Sequence, residues 1–126
     1  MFSHVMLGAI DIEASKRFYD ATLAALGVPA GGADPRGRVF WRTRTGVFAI
    51  SRPLDGKQMT AANGGTVGFQ AESTAAVDAW HVAGLASGGV TCEDPPGVRD
   101  MGGLKLYLAY LRDPAGNKLC AVHRMT

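Results

Sequence analysis

The chain has 126 residues, 47% hydrophobic and 19% charged, with 13 Lys and Arg against 11 Asp and Glu for a formal net charge of +2. That is the length and composition of one globular domain able to bury a core without disulfide staples. The basic residues are scattered, clustering only at Arg36 and Arg38 and at Arg42 and Arg44, which excludes a nucleic-acid footprint; no run approaches the roughly 20 apolar residues needed to span a bilayer.

Residues 1–10 are apolar but carry no basic leader and meet Asp11, too soon for an export signal with a cleavage site. Val5, Leu7 and Ala9 alternate with His4, Met6 and Gly8, the period of two that marks a strand. Asp11 is placed to cap a helix whose buried face is Ala14, Phe18, Ala21 and Ala25, and Gly27 followed by Pro29 ends it. A turn at Asp34-Pro35-Arg36-Gly37 introduces two β-rich runs, 39–43 and 47–52. Residues 53–65, rich in Gly, Asn and Thr, read as a connection, giving module one as 1–54, a linker at 55–64 and module two as 65–126 of a single domain.

The second half repeats the order. Residues 66–71 form a strand, Ser73 caps a helix with Ala76, Trp80 and Ala83 on its buried stripe, and Gly88-Gly89 stops it. Gly84 inside that helix costs about 1 kcal/mol against alanine, which close packing on the sheet would offset. Residues 93–103 form a long irregular segment, suited to a lid or binding loop. Strands then occupy 105–112 and 117–123 around the hairpin turn Asp113-Pro114-Ala115-Gly116.

The halves are copies. At the 62-residue spacing of His4 and Thr66, Val5 meets Val67, Leu7 meets Phe69, Phe18 meets Trp80 and Gly27 meets Gly89; later the spacing becomes 70, that of Gly46 and Gly116. One strand face of each copy (Val5, Leu7, Val67, Phe69) is expected to cover its helix. The other (His4, Met6, Gly8, Thr66, Gly68, Gln70) is smaller and more polar. The expected fold is α+β: two βαβββ modules with curved mixed sheets around a central cleft lined by the second set.

The opening His4-Val-Met-Leu-Gly-Ala-Ile-Asp11, the stretches Ser15 to Tyr19 and Leu23 to Gly27, and in the second half Val67-Gly-Phe69, Pro96-Gly-Val-Arg99 and Tyr110-Leu-Arg-Asp-Pro-Ala-Gly-Asn117 resemble the vicinal-oxygen-chelate superfamily. That group includes glyoxalase I, bleomycin-binding proteins and ring-cleaving dioxygenases. The likeness covers essentially the whole chain and is nearest to uncharacterised glyoxalase-like bacterial proteins. It implies up to four metal ligands, one from the first and one from the last strand of each module. Carried over, these are His4, Ile50, Thr66 and Cys120. Metal-using relatives place His, Gln or Glu there; only His4 matches, Cys120 replaces the usual carboxylate, and Ile50 and Thr66 offer no useful donor. His81 lies on a helix and His123 has the opposite strand parity to Cys120, so neither replaces a ligand. No cofactor is therefore expected, a divalent metal being the alternative.

His4 and Cys120 are the candidate catalytic groups, an imidazole able to activate a thiolate; the competing reading is a pocket-wall histidine and a space-filling thiol. Arg99 either turns inward to hold a carboxylate or phosphate or pairs with Asp94 or Asp100 on the surface. The expected pocket is His4, Met6, Ile50, Thr66, Gln70, Arg99, Tyr107 and Cys120, and alternation alone leaves open which of Trp41, Arg42, Tyr107 and Tyr110 face it. The function that follows is small-molecule binding by a glyoxalase-like protein with a degenerate metal site. Two alternatives stand beside it: a metal-dependent lyase, isomerase or dioxygenase with a rearranged site, and a drug-sequestering protein, whose cationic drug would match a chain of net +2 poorly. A cytoplasmic homodimer with a small-molecule ligand, and no nucleic-acid or membrane partner, completes the expectation; the two cysteines form no CxxC pair.

Overall fold

A computed structural model describes residues 1–125. In the first module β1 (His4–Gly8) leads into α1 (Ile12–Ala24), followed by β2 (Gly32–Ala33), β3 (Val39–Arg42) and β4 (Val47–Ser51), in the sheet order β1-β4-β3-β2. The second repeats this with β5 (Val67–Gln70), α2 (Thr74–Ala86), β6 (Val90–Thr91), β7 (Gly97–Asp100), β8 (Lys105–Arg112) and β9 (Lys118–Arg124). Its order is β5-β9-β8-β6, with β7 also pairing β8. Each first strand runs parallel to the last strand of its module and the hairpins are antiparallel, so both sheets are mixed. The segment expected to be irregular over 93–103 is in part an edge strand, β7, because its backbone completes the free edge of β8. No helix among the described residues is long and apolar enough to cross a membrane.

Both predicted caps form: Asp11 accepts from the Ala14 amide at 3.2 Å and Ser73 from the Ala76 amide at 3.0 Å. Gly27 ends the first helical segment with φ 83°, a conformation that favours glycine.

The helix-covered faces of the two sheets share one core. Val39, Trp41, Phe48 and Ile50 from the first module join Leu111, Leu119, Ala109 and Ala121 from the second, with Phe18, Tyr19 and Trp80 of the helices between them. Phe48 and Phe69 meet edge to face across the modules at 5.2 Å. Gly84 lies where α2 crosses α1 and the sheet: a Cβ there would stand 2.2 Å from Leu111 Cδ1 and 3.2 Å from both Phe18 and Thr22. The predicted close approach is real.

The register corrects one expectation. Arg42 pairs with Val47 across a four-residue turn, whereas Arg112 pairs with Lys118 across a five-residue turn containing Asn117. The repeat spacing is thus 70 before the turn and 71 after it. Met6 lies beside Ala49 and Gly68 beside Cys120, so the counterpart of Cys120 is Ala49. Ile50 pairs with Leu7 and Val39 on the helix side, fully buried in the core. One inserted residue moves a strand position to the opposite face.

Candidate functional site

Strand alternation divides each sheet cleanly. Opposite the core, sheet one presents His4, Met6 and Gly8 on β1, Val47, Ala49 and Ser51 on β4, and Phe40 and Arg42 on β3. The corresponding face of sheet two carries Gly68 and Gln70, the β9 residues Lys118, Cys120 and Val122, and Tyr110 and Arg112 on β8. These are the strand faces on which the sequence places the pocket, and they are partly open: His4, Met6, Gly68 and Gln70 are exposed.

Six of the eight expected pocket residues accord with this side. His4 and Met6 lie on the face of sheet one, with Ser3 Oγ 2.8 Å from His4 Nδ1. Gln70, Arg99 and Cys120 lie on that of sheet two, and Thr66 is exposed immediately before β5. Arg99 neither turns into a cleft nor forms an ion pair with Asp94 or Asp100; its Nη2 donates to the carbonyls of Asp94 and Pro95 at 3.1 and 3.0 Å. Tyr107, like Ile50, is on the wrong side for the pocket. It pairs with His123 toward the helices and its hydroxyl donates to Asp78 of α2 at 2.8 Å, a bond that raises its pKa. Of the four residues that alternation left open, Trp41 and Tyr107 face the helices; Arg42 and Tyr110 face the other side.

A cavity of about 420 Å³ opens between the edge strands β1 and β5, with His4, Val47, Phe48, Gly68, Phe69 and Gln70 among its walls. The two edges run antiparallel. His4 shares the cavity with Gln70, while the Gly8 carbonyl accepts from Asn117 Nδ2 at 2.9 Å, next to Lys118. Thr66 is level with Lys118, since Val67 pairs with Leu119. It therefore stands near the Gly8 end of β1, about 13 Å along the strand from His4 at roughly 3.3 Å per residue. One chain does not bring these two repeat-equivalent positions together, and β5 and the seam separate Cys120 from His4.

Cys120 is 8% exposed and lies between Gly68 and Tyr110 across the strands. Burial raises its thiol pKa, Lys118 lowers it and Glu93 raises it. Tyr110 is raised by burial, then by Cys120 and Glu93. Lys118 ion-pairs with Glu93, which raises the ammonium pKa, and sits 5.0 Å from the centre of the Tyr110 ring. Ala49, Tyr110, Phe40, Arg42, Arg112 and Lys118 are among the face residues missing from the expected pocket. For Ala49 the cause is the extra turn residue; for the others, alternation gives two faces without saying which is covered. Among the described residues no group of three His, Cys, Asp or Glu side chains is placed to hold a metal ion.

The model of the Glyoxalase/Bleomycin resistance protein/Dioxygenase superfamily matches residues 1–121. The chain belongs to that superfamily. A crystal structure of a glyoxalase/bleomycin resistance protein from Albidiferax ferrireducens T118 is 56% identical to this glyoxalase-like chain, with a TM-score of 0.95, covering 98% of it and 99% of that protein. A glyoxalase/bleomycin resistance protein/dioxygenase family enzyme from Burkholderia phytofirmans PsJN superposes with TM-score 0.73 at 19% identity, over 98% of each chain. A lactoylglutathione lyase from Agrobacterium tumefaciens gives 0.65 at 22% identity, over 98% of this chain and 92% of that one. The last two show the fold alone. No curated protein matches.

Proposed function

We propose that this glyoxalase-like chain binds a small molecule on its strand faces without a resident divalent metal. The observation that carries the reading is the residue set at the four positions where metal-using relatives place ligands. With the register corrected these are His4, Ala49, Thr66 and Cys120. An imidazole, a methyl, a hydroxyl and a buried thiol do not fit a divalent ion, which needs three or four imidazole or carboxylate donors to leave an open position for substrate. No metal-routed step is assigned to them. The raised thiol pKa favours Cys120 as a space-filling wall over Cys120 as a nucleophile.

A homodimer in a reducing cytoplasm is part of the proposal. Its support is the separation of His4 from Thr66 along the seam of one chain, together with strand faces that a second copy would cover. Sedimentation is expected to give about twice the 13.2 kDa chain mass at micromolar concentration, and a clean monomer would reject the pairing.

Elemental analysis after exposure to zinc, nickel, manganese or iron and desalting tests the main reading. The expected result is far less than one equivalent retained. Near one equivalent, lost in His4→Ala, would replace it with the metal-dependent lyase or dioxygenase reading.

A further inference from the structure

We infer that the ligand taken by these strand faces is a small organic anion, a carboxylate or phosphate on an apolar or aromatic body, with its charged group seated against Arg112 and Lys118. The inference rests on the strand faces being the ligand site, as proposed above.

The first observation is a segregation of charge. The charged side chains at strand positions on the faces away from the core are Arg42, Arg99, Arg112, Lys118 and Arg124, all cations. Among the described residues no Asp or Glu occupies a strand position on those faces; Asp100 projects to the opposite side, in register with Lys105. In a chain with 13 basic and 11 acidic residues, the strand positions of these faces carry one sign of charge. Glu93 reaches Lys118 from outside the strands. Such a face raises the local concentration of anions and disfavours the cationic drug of the sequestering alternative.

The second observation is a built recess. The linker folds back over the strands: Met59 is 7% exposed, and the space a Gly8 Cβ would need is filled by the Met59 Cβ at 2.8 Å. Beyond it, Ala61, Asn63, Gly64 and Gly65 enclose a cavity of about 320 Å³ with Arg112 and Lys118. Arg112 Nη1 donates to the Gly116 carbonyl at 2.9 Å, which fixes the guanidinium and leaves its other N–H groups for an anion. Gly64 holds φ 91° and Gly65 lies where a Cβ would stand 2.8 Å from the Ala62 Cβ, so the linker turns tightly beside the two cations. The third observation is flat apolar surface beside the cations: the Arg38 and Arg42 guanidiniums lie 5.5 and 5.0 Å from the Phe40 ring centre, and Tyr110 lies under Lys118. A planar body attached to the anionic group would meet the Tyr110 ring.

Two fluorescent probes that share an aromatic body separate charge from apolar contact: 8-anilinonaphthalene-1-sulfonate and its neutral counterpart N-phenyl-1-naphthylamine. Each is titrated into the folded full chain at low and moderate salt. The anionic probe is expected to bind saturably, at least tenfold more tightly than the neutral one, and to weaken with salt. Arg112→Ala should cost it about tenfold, the scale of one charge-assisted hydrogen bond, while leaving the neutral probe unchanged. Arg17→Ala, an exposed cation on α1, should alter neither. Amide shifts at residues 63–65 place the bound probe, and Arg112→Lys serves if the alanine variant does not fold. Equal binding of both probes, unaffected by Arg112, would overturn the anion assignment and leave a neutral-ligand pocket standing. Binding of neither would overturn both the assignment and the pocket. Tight binding of a single-stranded oligonucleotide with no binding of the sulfonate would replace the small ligand with a polyanion.

Discussion

The Tyr19 hydroxyl on α1 donates to Asp113 Oδ2 in the β8–β9 turn at 2.5 Å, a buried bond that joins the two modules. The same carboxylate accepts from Asn117 Nδ2 and from the amides of Ala115 and Asn117, each at 2.9 Å, and Asn117 also reaches the Gly8 carbonyl. Asp113 is 4% exposed, so these donors stand in for water around a buried acid. Tyr19→Phe is expected to destabilise the fold by about 1–3 kcal/mol. Asp113→Ala should cost more, because several buried donors lose their acceptor together. Urea unfolding of both variants checks the order, and a neutral Tyr19→Phe would show that the modules are not held by this contact.

Alkali tests the same bond through its titration. Burial, then the Asp113 charge and hydrogen bond, raise the Tyr19 pKa well above the usual tyrosine value. A group raised on folding contributes stability that is complete below its unfolded pKa of about 10 and lost as pH rises through the folded value. Stability should therefore fall above about pH 10, with a shallower fall in Tyr19→Phe. An identical alkaline decline in that variant would assign the loss to other groups, Tyr107 and Tyr110 first.

Asp20 makes the acid counterpart. Burial pushes its pKa up, but bonds from Lys16, the Gly31 amide and Trp41 Nε1 outweigh it and hold the carboxyl low. The sign is reversed: this contribution is present above the unfolded value of about 3.9 and lost as pH falls through the depressed folded one. Asp20→Ala should cost about 1–3 kcal/mol at neutral pH by stranding the Trp41 and Gly31 donors. Asp20→Asn should cost less, and its deficit should shrink as pH falls through the depressed folded pKa of the parent carboxyl. A deficit that persists unchanged into acid would contradict the charged form as the stabilising one.

Gly84→Ala should destabilise despite the helix-propensity gain of about 1 kcal/mol. The new Cβ would stand 2.2 Å from Cδ1 of the fully buried Leu111, and overpacking of this kind typically costs about 1–3 kcal/mol. Thermal melting gives the sign, and an increase in Tm would mean that α2 moves freely against α1.

Much of this fold is legible because alternation and capping act locally. Val5 and Leu7 against His4 and Met6, Asp11, Ser73 and the fully buried Trp80 all behave as their spacing implies. What is not legible depends on pairing at a distance. β2 and β6 have two residues each, too few for a period, and β7 is a strand only because β8 offers an edge. Spacing puts Ile50 and Tyr107 in the pocket because one turn residue, Asn117, is invisible to it and because face parity does not say which side the helix covers. The Asp113 turn reads as a plain hairpin until Tyr19 and Gly8 are seen around it.

On the proposed dimeric reading, donor chemistry at His4, Ala49, Thr66 and Cys120, rather than the sheet architecture, leaves the protein without a metal site. Restoring donors in the triple variant Ala49→Glu, Thr66→His and Cys120→Glu measures this most directly, by elemental analysis after zinc or nickel exposure and desalting, with circular dichroism confirming the fold. The triple variant is predicted to retain close to one ion per site while the parent chain retains almost none, and moving the first change to Ile50→Glu should gain nothing, since that position is buried in the core. A parent chain that holds as much metal as the variant, or a folded triple variant that holds none, would contradict the account.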